Sequence, residues 1–142
     1  MNNLKEKKLN NKGFSLVELI IVIAIMAVLI GVLAPQYLKY VEKSRVSADA
    51  DQIDTLISAV EIYSAENGVV TGTITISTAG AITASSPVTT ALTDAGLSTS
   101  TIKVTSKMFK TGATINFDET GVTVTGAGKT DIAAALGRKE GA

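Results

Sequence analysis

An apolar segment near the amino terminus constrains the fold of this chain more than any other feature. Residues 19–34 are sixteen consecutive residues without a charged side chain. Counted from Phe14, the apolar run is 21 residues long and is interrupted only by Ser15 and Glu18. A helix needs about 20 apolar residues to cross a bilayer. The segment therefore predicts a membrane-spanning helix.

The charges on either side of this segment predict its orientation. Residues 1–13 carry four lysines and one glutamate, a formal charge of +3, and the remaining chain carries nine basic and twelve acidic side chains, a formal charge of −3. Basic residues mark the cytoplasmic flank of a membrane helix. Tyr37, Lys39 and Tyr40 follow the segment, and tyrosine and lysine are typical of a membrane surface. We expect the amino terminus in the cytoplasm and the bulk of the chain outside.

Neither a secretory signal peptide nor a plain transmembrane anchor accounts for Glu18. A secretory signal peptide is cleaved after small residues, yet at residues 32–34 Val32 and Leu33 are bulky and Pro35 follows directly. A plain transmembrane anchor is the second simple interpretation. A central acid in a membrane helix costs about 2.5–3.5 kcal/mol, and an acid near the start costs less. An ionisable group here indicates a functional site that needs a partner.

The stretch KGFSLVELIIVIAIMAVLIGVLAP, residues 12–35, resembles the amino-terminal signature of type IV pilins. These are prepilins with a class III signal peptide, within the wider type IV pilin-like and pseudopilin superfamily. The matching features are a short basic leader ending in Gly13, an aromatic Phe14, Glu18 at the fifth position after the glycine, and an aliphatic run to Pro35.

The resemblance implies a processing step and a partner for Glu18. A prepilin peptidase would cleave after Gly13, remove residues 1–13 as a leader, and methylate the new amino terminus at Phe14. Glu18 of an incoming subunit would then pair with the Phe14 amine of a neighbour, since opposite charges attract strongly in a low dielectric. The alternative is that Glu18 merely lies at the level of the lipid headgroups.

The helix is expected to continue beyond the apolar run as an amphipathic helix over residues 37–66. Its apolar stripe recurs at helical spacing and consists of Val46, Ala50, Ile53, Leu56, Ile57, Val60 and Tyr63. Asn67 and Gly68 predict its end. Pro35 predicts a kink in the helix, and Gly31, four residues earlier, weakens the same turn. The kink marks either the end of the membrane span or, as the family suggests, a point where the helix loosens in a filament.

Beyond Gly68 the composition favours strands and turns. We expect a hairpin in residues 71–85, a short helix begun by Ser86 and ended by Gly96, and a strand in residues 101–109. A second hairpin is expected in residues 113–126 around a four-residue loop. One or two helical turns are expected at residues 131–136, with the last six residues frayed.

These elements predict an α+β pilin fold. A long amino-terminal helix has a protruding hydrophobic half and an amphipathic half that packs on a carboxy-terminal antiparallel sheet. The expected domains are the cleaved leader (1–13), the transmembrane and polymerisation half-helix (14–36), the amphipathic half-helix (37–67) and a β-rich globular domain (68–142). Many family members close their carboxy-terminal region with a disulfide, but this chain has no cysteine.

Several kinds of chemistry have little support in the composition. Histidine and cysteine are both absent, which removes the commonest general base and the commonest zinc ligands. Asp118 and Glu119 suit a turn better than catalysis. Other clusters favour solvated faces: a helical face for Asp49, Asp51 and Asp54, and a strand face for Lys103, Lys107 and Lys110 near Phe109. We expect no enzyme activity, no cofactor, no metal and no specific nucleic acid.

The resemblance implies a structural subunit of a type IV pilus used in surface adhesion and twitching motility. Its partners would be further copies of itself in a helical filament, the prepilin peptidase and an inner-membrane assembly platform. The chain would be a single-pass membrane protein before assembly and a surface filament afterwards. Two alternatives stay open: a pseudopilin of a type II secretion or DNA-uptake system, and a membrane-anchored enzyme or binding protein.

Overall fold

A computed structural model describes residues 15–141 of the chain. These residues fall into two units, divided between Tyr40 and Val41. Helix α1 (Ser15–Asn67) runs through both units without interruption. The described part of the chain therefore begins with a single helix of 53 residues, as the apolar run and the amphipathic stripe together predict.

The second unit contains the amphipathic half of α1, whose stripe is buried as expected. Its fully buried side chains are Ile53, Leu56, Ile57 and Val60, and Val46, Ala50 and Tyr63 are half-buried against them. The helix ends at the predicted residues. Gly68 has a φ of +98°, a left-handed conformation that favours glycine, and its N–H donates to the carbonyl of Ser64 at 3.0 Å.

Five strands form one sheet in the order β2-β1-β3-β4-β5. The strands are β1 (Gly72–Ile76), β2 (Ile82–Ala84), β3 (Ala113–Asp118), β4 (Gly121–Gly126) and β5 (Lys139–Glu140). Two short helices, α2 (Val88–Asp94) and α3 (Lys129–Leu136), and a 3-10 turn (Thr99–Thr101) complete the unit. Together with α1 this is the expected α+β class and a pilin-like architecture.

Both predicted hairpins are present with their apolar residues facing the core. In the first, Ile76 pairs with Ile82 and Ile74 pairs with Ala84. In the second, Ile115 pairs with Val124 and Phe117 pairs with Val122. The loop of the second hairpin is shorter than predicted, because Asp118 and Gly121 still pair and only residues 119 and 120 lie between them.

The core joins α1, the sheet and the two short helices in one cluster. It includes Ile53 and Ile57 from α1, Ile74 and Ile115 from the sheet, and Ile132 from α3, all fully buried. Burying such a side chain contributes about 1.5–3 kcal/mol. The last third of the chain, which contains no cysteine, therefore folds around apolar contacts.

The strand predicted in residues 101–109 is wrong. Only Lys103 makes an isolated antiparallel bridge, to Ala81, and residues 107–112 form turns. The apolar positions are nevertheless inside, since Val104 and Phe109 are buried. The backbone N–H groups of residues 105–107 bind carboxylates of α1 instead of a neighbouring strand.

Two predictions at element ends are also wrong. The tail, expected to be frayed, forms β5, which pairs in parallel with β4, and Gly141 N–H donates to the carbonyl of Val124 at 2.7 Å. The sheet is therefore mixed and not wholly antiparallel.

Helix α2 begins at Val88 with Pro87 as its N-cap, so Ser86 is not the cap. Gly96, with a φ of +75°, ends it as predicted.

Candidate functional site

The first unit presents an apolar helical surface on all sides. The large aliphatic side chains of residues 16–33 are 50% to 71% exposed. Full burial of such a side chain, compared with full exposure, contributes about 1.5–3 kcal/mol of stabilising free energy. A helix that is hydrophobic all round is covered by lipid or by protein, and its internally bonded backbone suits a bilayer. Among the described residues, α1 is the one helix long and apolar enough to cross a membrane.

Glu18 is the only charged side chain on this surface between Ser15 and Ala34. It lies in the first turn of α1 and is exposed. A carboxylate at a helix amino terminus interacts favourably with the helix dipole, by about 0.3–1 kcal/mol. Glu18 forms no ion pair with any residue from 15 to 141. Gly13 and Phe14, the predicted cleavage and methylation residues, lie outside the described residues.

Pro35 lies inside α1, and the helix continues beyond it. Proline has no N–H to donate, so the turn around Pro35 lacks one backbone hydrogen bond. Gly31 is exposed, and a methyl group added there would meet no other atom within 4 Å. These two residues weaken one part of the helix, and the kink there stays a prediction.

Asp49, which was expected on a solvated helical face with Asp51 and Asp54, instead binds a loop of the domain. Asp49 is only 2% exposed. Its two oxygens accept hydrogen bonds from the Thr105 N–H at 3.1 and 3.0 Å, and one of them accepts from the Ser106 N–H at 2.7 Å. Only Asp51 and Asp54 of the predicted acidic face are exposed.

Glu42 extends this arrangement by two helical turns. Its Oε1 accepts a hydrogen bond from the Lys107 N–H at 2.7 Å. Residues seven apart lie on the same helix face, so Glu42 and Asp49 hold the backbone of residues 105–107 along α1. The sequence signal was available: Asp49 falls three residues after Val46 and four before Ile53, on the apolar stripe itself.

Arg138 makes the corresponding link for the carboxy-terminal residues. Its guanidinium donates to the two oxygens of Glu61 at 2.6 and 3.3 Å and lies 3.5 Å from Asp54. The hydrogen bond to Glu61 is the main reason that the pKa of Arg138 is raised. This pair of acids, also seven residues apart on α1, positions the start of β5.

The basic residues near Phe109 do not form the predicted strand face. Lys103, Lys107 and Lys110 are exposed on a loop, and Phe109 is fully buried. Stacking on a nucleic-acid base requires an accessible aromatic ring. The buried ring cannot supply it.

The described surface of the domain offers shallow grooves. One, of about 360 Å³, is lined by Leu92, Leu97, Gly96 and the hydroxyl side chains of Thr89, Thr93, Ser98 and Thr99. Asp118, the last residue of β3, is exposed, and hydrogen bonds from Thr120 lower the pKa of its carboxyl. No group of three metal-binding side chains occurs in residues 15–141.

Comparisons with known proteins concern the amino-terminal segment. Residues 8–34 match the family model described as the prokaryotic N-terminal methylation motif. A type IV major fimbrial protein, FimA, of Dichelobacter nodosus is 40% identical over 50 residues, which are 35% of this chain and 32% of that protein. A fimbrial protein of Pseudomonas aeruginosa is 38% identical over 50 residues, with the same coverage. No solved structure gives a significant match.

These matches identify the segment that carries Glu18 as a prepilin methylation motif. The chain spans about a third of the length of the curated relatives that it matches. Both of these relatives are named as fimbrial proteins.

Proposed function

We propose that this protein, which carries the prokaryotic N-terminal methylation motif, is made as a prepilin and assembles into a type IV pilus filament. A prepilin peptidase removes residues 1–13 by cleaving after Gly13, and the new amino terminus at Phe14 is methylated. Residues 14–36 hold the precursor in the membrane and later mediate polymerisation. Residues 37–67 support the β-rich domain of residues 68–142, which forms the filament surface.

The observation that carries this proposal is the motif on an exposed apolar helix with a single acid in its first turn. Such a surface is covered by lipid in the precursor and by the same surface of other subunits in the filament. One segment thus serves both states, first in the inner membrane and then on the cell surface. An inner-membrane assembly platform moves the subunit from one state to the other.

Glu18 acquires its partner when the subunit enters the filament. Cleavage creates a positive amine on Phe14, and methylation leaves that charge in place. In the apolar filament interior, the Glu18 carboxylate of one subunit pairs with the amine of its neighbour. Removing one member of a buried ion pair costs about 3–5 kcal/mol, because the remaining charge has no partner.

The test is filament formation by variants in the organism's own cells. Glu18→Gln and Glu18→Ala should accumulate in the membrane as processed protein but give no surface filaments by electron microscopy. Glu66→Ala removes an exposed carboxylate from the other end of α1 and serves as the matched control. Normal filaments from the Glu18 variants would contradict the proposal, as would unchanged surface filaments in a strain that lacks the gene.

A further inference from the structure

We propose that the domain of one subunit binds the domain of another through two surfaces at opposite ends of the sheet. One surface is the acidic groove, lined by Val69, Val70, Phe117, Val122, Asp118 and Glu119. The other is the basic tip, which consists of the turn of the first hairpin, residues 77–80, with Lys103 and Lys110. The inference rests on the proposed function, because it concerns copies of the chain in a filament. It adds a contact between domains to the contact between apolar helices.

The acidic groove has an apolar surface that its own domain leaves uncovered. Its volume is about 250 Å³. Val70 and Phe117 are each only 5% exposed, whereas Val69 is 61% exposed. Within residues 41–141, Ile62 is the one other large apolar side chain that is exposed. Covering Val69 with a partner would remove apolar surface from water and so stabilise a contact.

Two carboxylates of the acidic groove have no cation beside them in the described part of the chain. Asp118 and Glu119 are exposed, and neither forms a salt bridge within residues 15–141. Asp118 accepts hydrogen bonds from Thr120, which is neutral and leaves the negative charge in place. Glu61, a third acid that lines the groove, is already paired with Arg138. The groove therefore offers two negative charges to a partner.

The basic tip is a fixed structure that holds both of its lysines at one turn. Gly80 has a φ of +89°, and its carbonyl accepts a hydrogen bond from the Val104 N–H at 3.0 Å. A methyl group added at Gly80 would lie 2.5 Å from the Val104 carbonyl oxygen and 3.0 Å from Cε of Lys110. Lys103 forms an antiparallel bridge with Ala81. The turn is thus packed against the segment that carries the lysines.

The positive charge of the basic tip is not neutralised within the described residues. Lys103 and Lys110 are exposed, and neither forms a salt bridge within residues 15–141. Between residues 68 and 117 the sequence has one acid, Asp94, which ends α2 and lines a groove with residues of α1. The carboxylates of Glu42 and Asp49 bind the backbone of residues 105–107, whereas the two lysines lie at the hairpin turn.

The sheet places the two surfaces far apart in one copy. β1 runs antiparallel to β3, with Thr75 opposite Thr114. The turn that follows β1 therefore lies at the start of β3, whereas Asp118 ends that strand. β3 has six residues, which separate the two surfaces by about 17–20 Å at about 3.4 Å per residue. One copy can therefore use both surfaces at once, each with a different neighbour.

A second copy of the chain is the occupant that the charges favour. The exposed residues of the turn, Thr78 and Ala79, have small side chains that suit a shallow groove, and the lysines beside them suit Asp118 and Glu119. Exposed ion pairs contribute only about 0.2–1 kcal/mol each, but complementary charges fix orientation and register. Two tips or two grooves facing each other would bring like charges together, which is unfavourable.

This pairing of unlike surfaces leads to a filament. A contact between two different surfaces of the same chain is heterologous, and it generates an open helical assembly where the rotation does not close a ring. A weak contact suffices there, because subunits that are already held together meet at a high effective concentration. The groove and the tip therefore connect the domains of neighbouring subunits.

The test is disulfide cross-linking in filaments sheared from the organism's own cells. The chain has no cysteine, so Val69→Cys and Ala79→Cys in one full-length chain place one thiol in the groove and one on the tip. Oxidation with copper phenanthroline should give a ladder of covalently linked subunits, because each chain then joins two neighbours. Val69→Cys with Thr130→Cys, at an exposed residue of α3, is the matched control and should give no ladder.

The single-cysteine chains should remain monomeric on non-reducing gels. Covalent dimers from Val69→Cys alone or Ala79→Cys alone would mean that like surfaces meet, and they would overturn the inference. Filaments of the two-cysteine chain that give no ladder would overturn the inference and leave the proposed function standing. Absence of filaments from the unsubstituted chain would overturn both.

Charge exchange tests the same contact in a chain without cysteine. Lys110→Glu should abolish surface filaments while processed protein still accumulates in the membrane, because the new acid faces the acids of the groove. Adding Glu119→Lys to the same chain should restore filaments, whereas adding Glu140→Lys, at another exposed acid, should not. Normal filaments from Lys110→Glu, or equal restoration by the two lysine substitutions, would contradict the proposed contact.

Discussion

Asp49 shows how one residue can fix a loop that has no regular structure. It occupies a position on the apolar stripe of α1 and is buried, where an unpaired charge would be costly. The N–H groups of Thr105 and Ser106 satisfy it. Hydrogen bonds to a charged group contribute about 1.5–3 kcal/mol each. Asp49 therefore stabilises the folded domain, and it also decides where residues 105–107 run.

We expect Asp49→Ala to lower the free energy of unfolding by about 2–4 kcal/mol, since the buried Ser106 N–H and the half-buried Thr105 N–H lose their acceptor. Urea titration of the full chain in detergent, followed by circular dichroism, measures this change. Asp51→Ala removes an exposed acid two residues away and should change the value by less than about 0.5 kcal/mol. Equal effects of the two substitutions would contradict the assigned role of Asp49.

The stability of the turn between β3 and β4 depends on pH through the carboxyl of Asp118. The side chain and the backbone N–H of Thr120 donate to its carboxylate, and the side-chain bond is the main cause of a pKa below the ordinary value of 3.8. A lowered folded-state pKa means that the turn is stabilised above pH 3.8 and loses this contribution as pH falls through the lowered pKa.

Nuclear magnetic resonance titration of the Asp118 carboxyl should give a midpoint below 3.8 in the folded protein. Thr120→Val removes the side-chain donor and should move the midpoint back toward 3.8, whereas Thr101→Val, on the 3-10 turn, should leave it unchanged. A midpoint at or above 3.8 in the unsubstituted protein would show that the turn lacks these bonds in solution.

At the scale of elements, the long helix and the two hairpins were predictable because their patterns are local. The stripe from Val46 to Val60 has helical spacing, and Ile115 and Phe117 alternate with polar residues as a strand requires. The loop of residues 102–112 also alternates, yet it is not a strand. Its backbone donors bind Asp49 and Glu42, which lie 56 to 65 residues earlier, and no local pattern contains that information.

The carboxy-terminal strand was missed for a related reason. β5 has two residues, both charged, and a strand so short has no periodicity. Its position depends on Arg138, whose guanidinium donates a hydrogen bond to Glu61. The two residues are 77 positions apart in the sequence. The proposed assembly residue is limited in the same way. The sequence pattern singles out Glu18, but the partner proposed for it belongs to another copy of the chain.

We expect Arg138→Gln to loosen the carboxy-terminal segment more than it destabilises the whole domain. The Glu61 side chain is 43% exposed, and solvent screens such pairs to about 1 kcal/mol or less. Hydrogen exchange in α3 and β5 should accelerate, while exchange in β1 and β3 stays close to that of the unsubstituted chain. Lys139→Gln, which removes an exposed neighbouring charge, is the control, and equal acceleration by both variants would contradict the role of Arg138.

At the scale of the whole molecule, the chain combines a domain with a complete core and a helix whose apolar surface is left uncovered. The domain closes around its own residues. The apolar half of α1 has no such cover among residues 15–40, and a helix surface of this kind is covered by lipid or by protein. The proposed transfer from the membrane to a filament would therefore change the cover of this helix and leave the fold of the domain unchanged.

The central claim is that the chain is processed as a prepilin, and the most direct test is the intact mass and amino-terminal sequence of the protein from its own cells. The account predicts a chain that starts at Phe14 and is heavier by one methyl group. A chain that starts at Met1, or beyond Ala34, would contradict it, because Glu18 would then have no Phe14 amine to pair with.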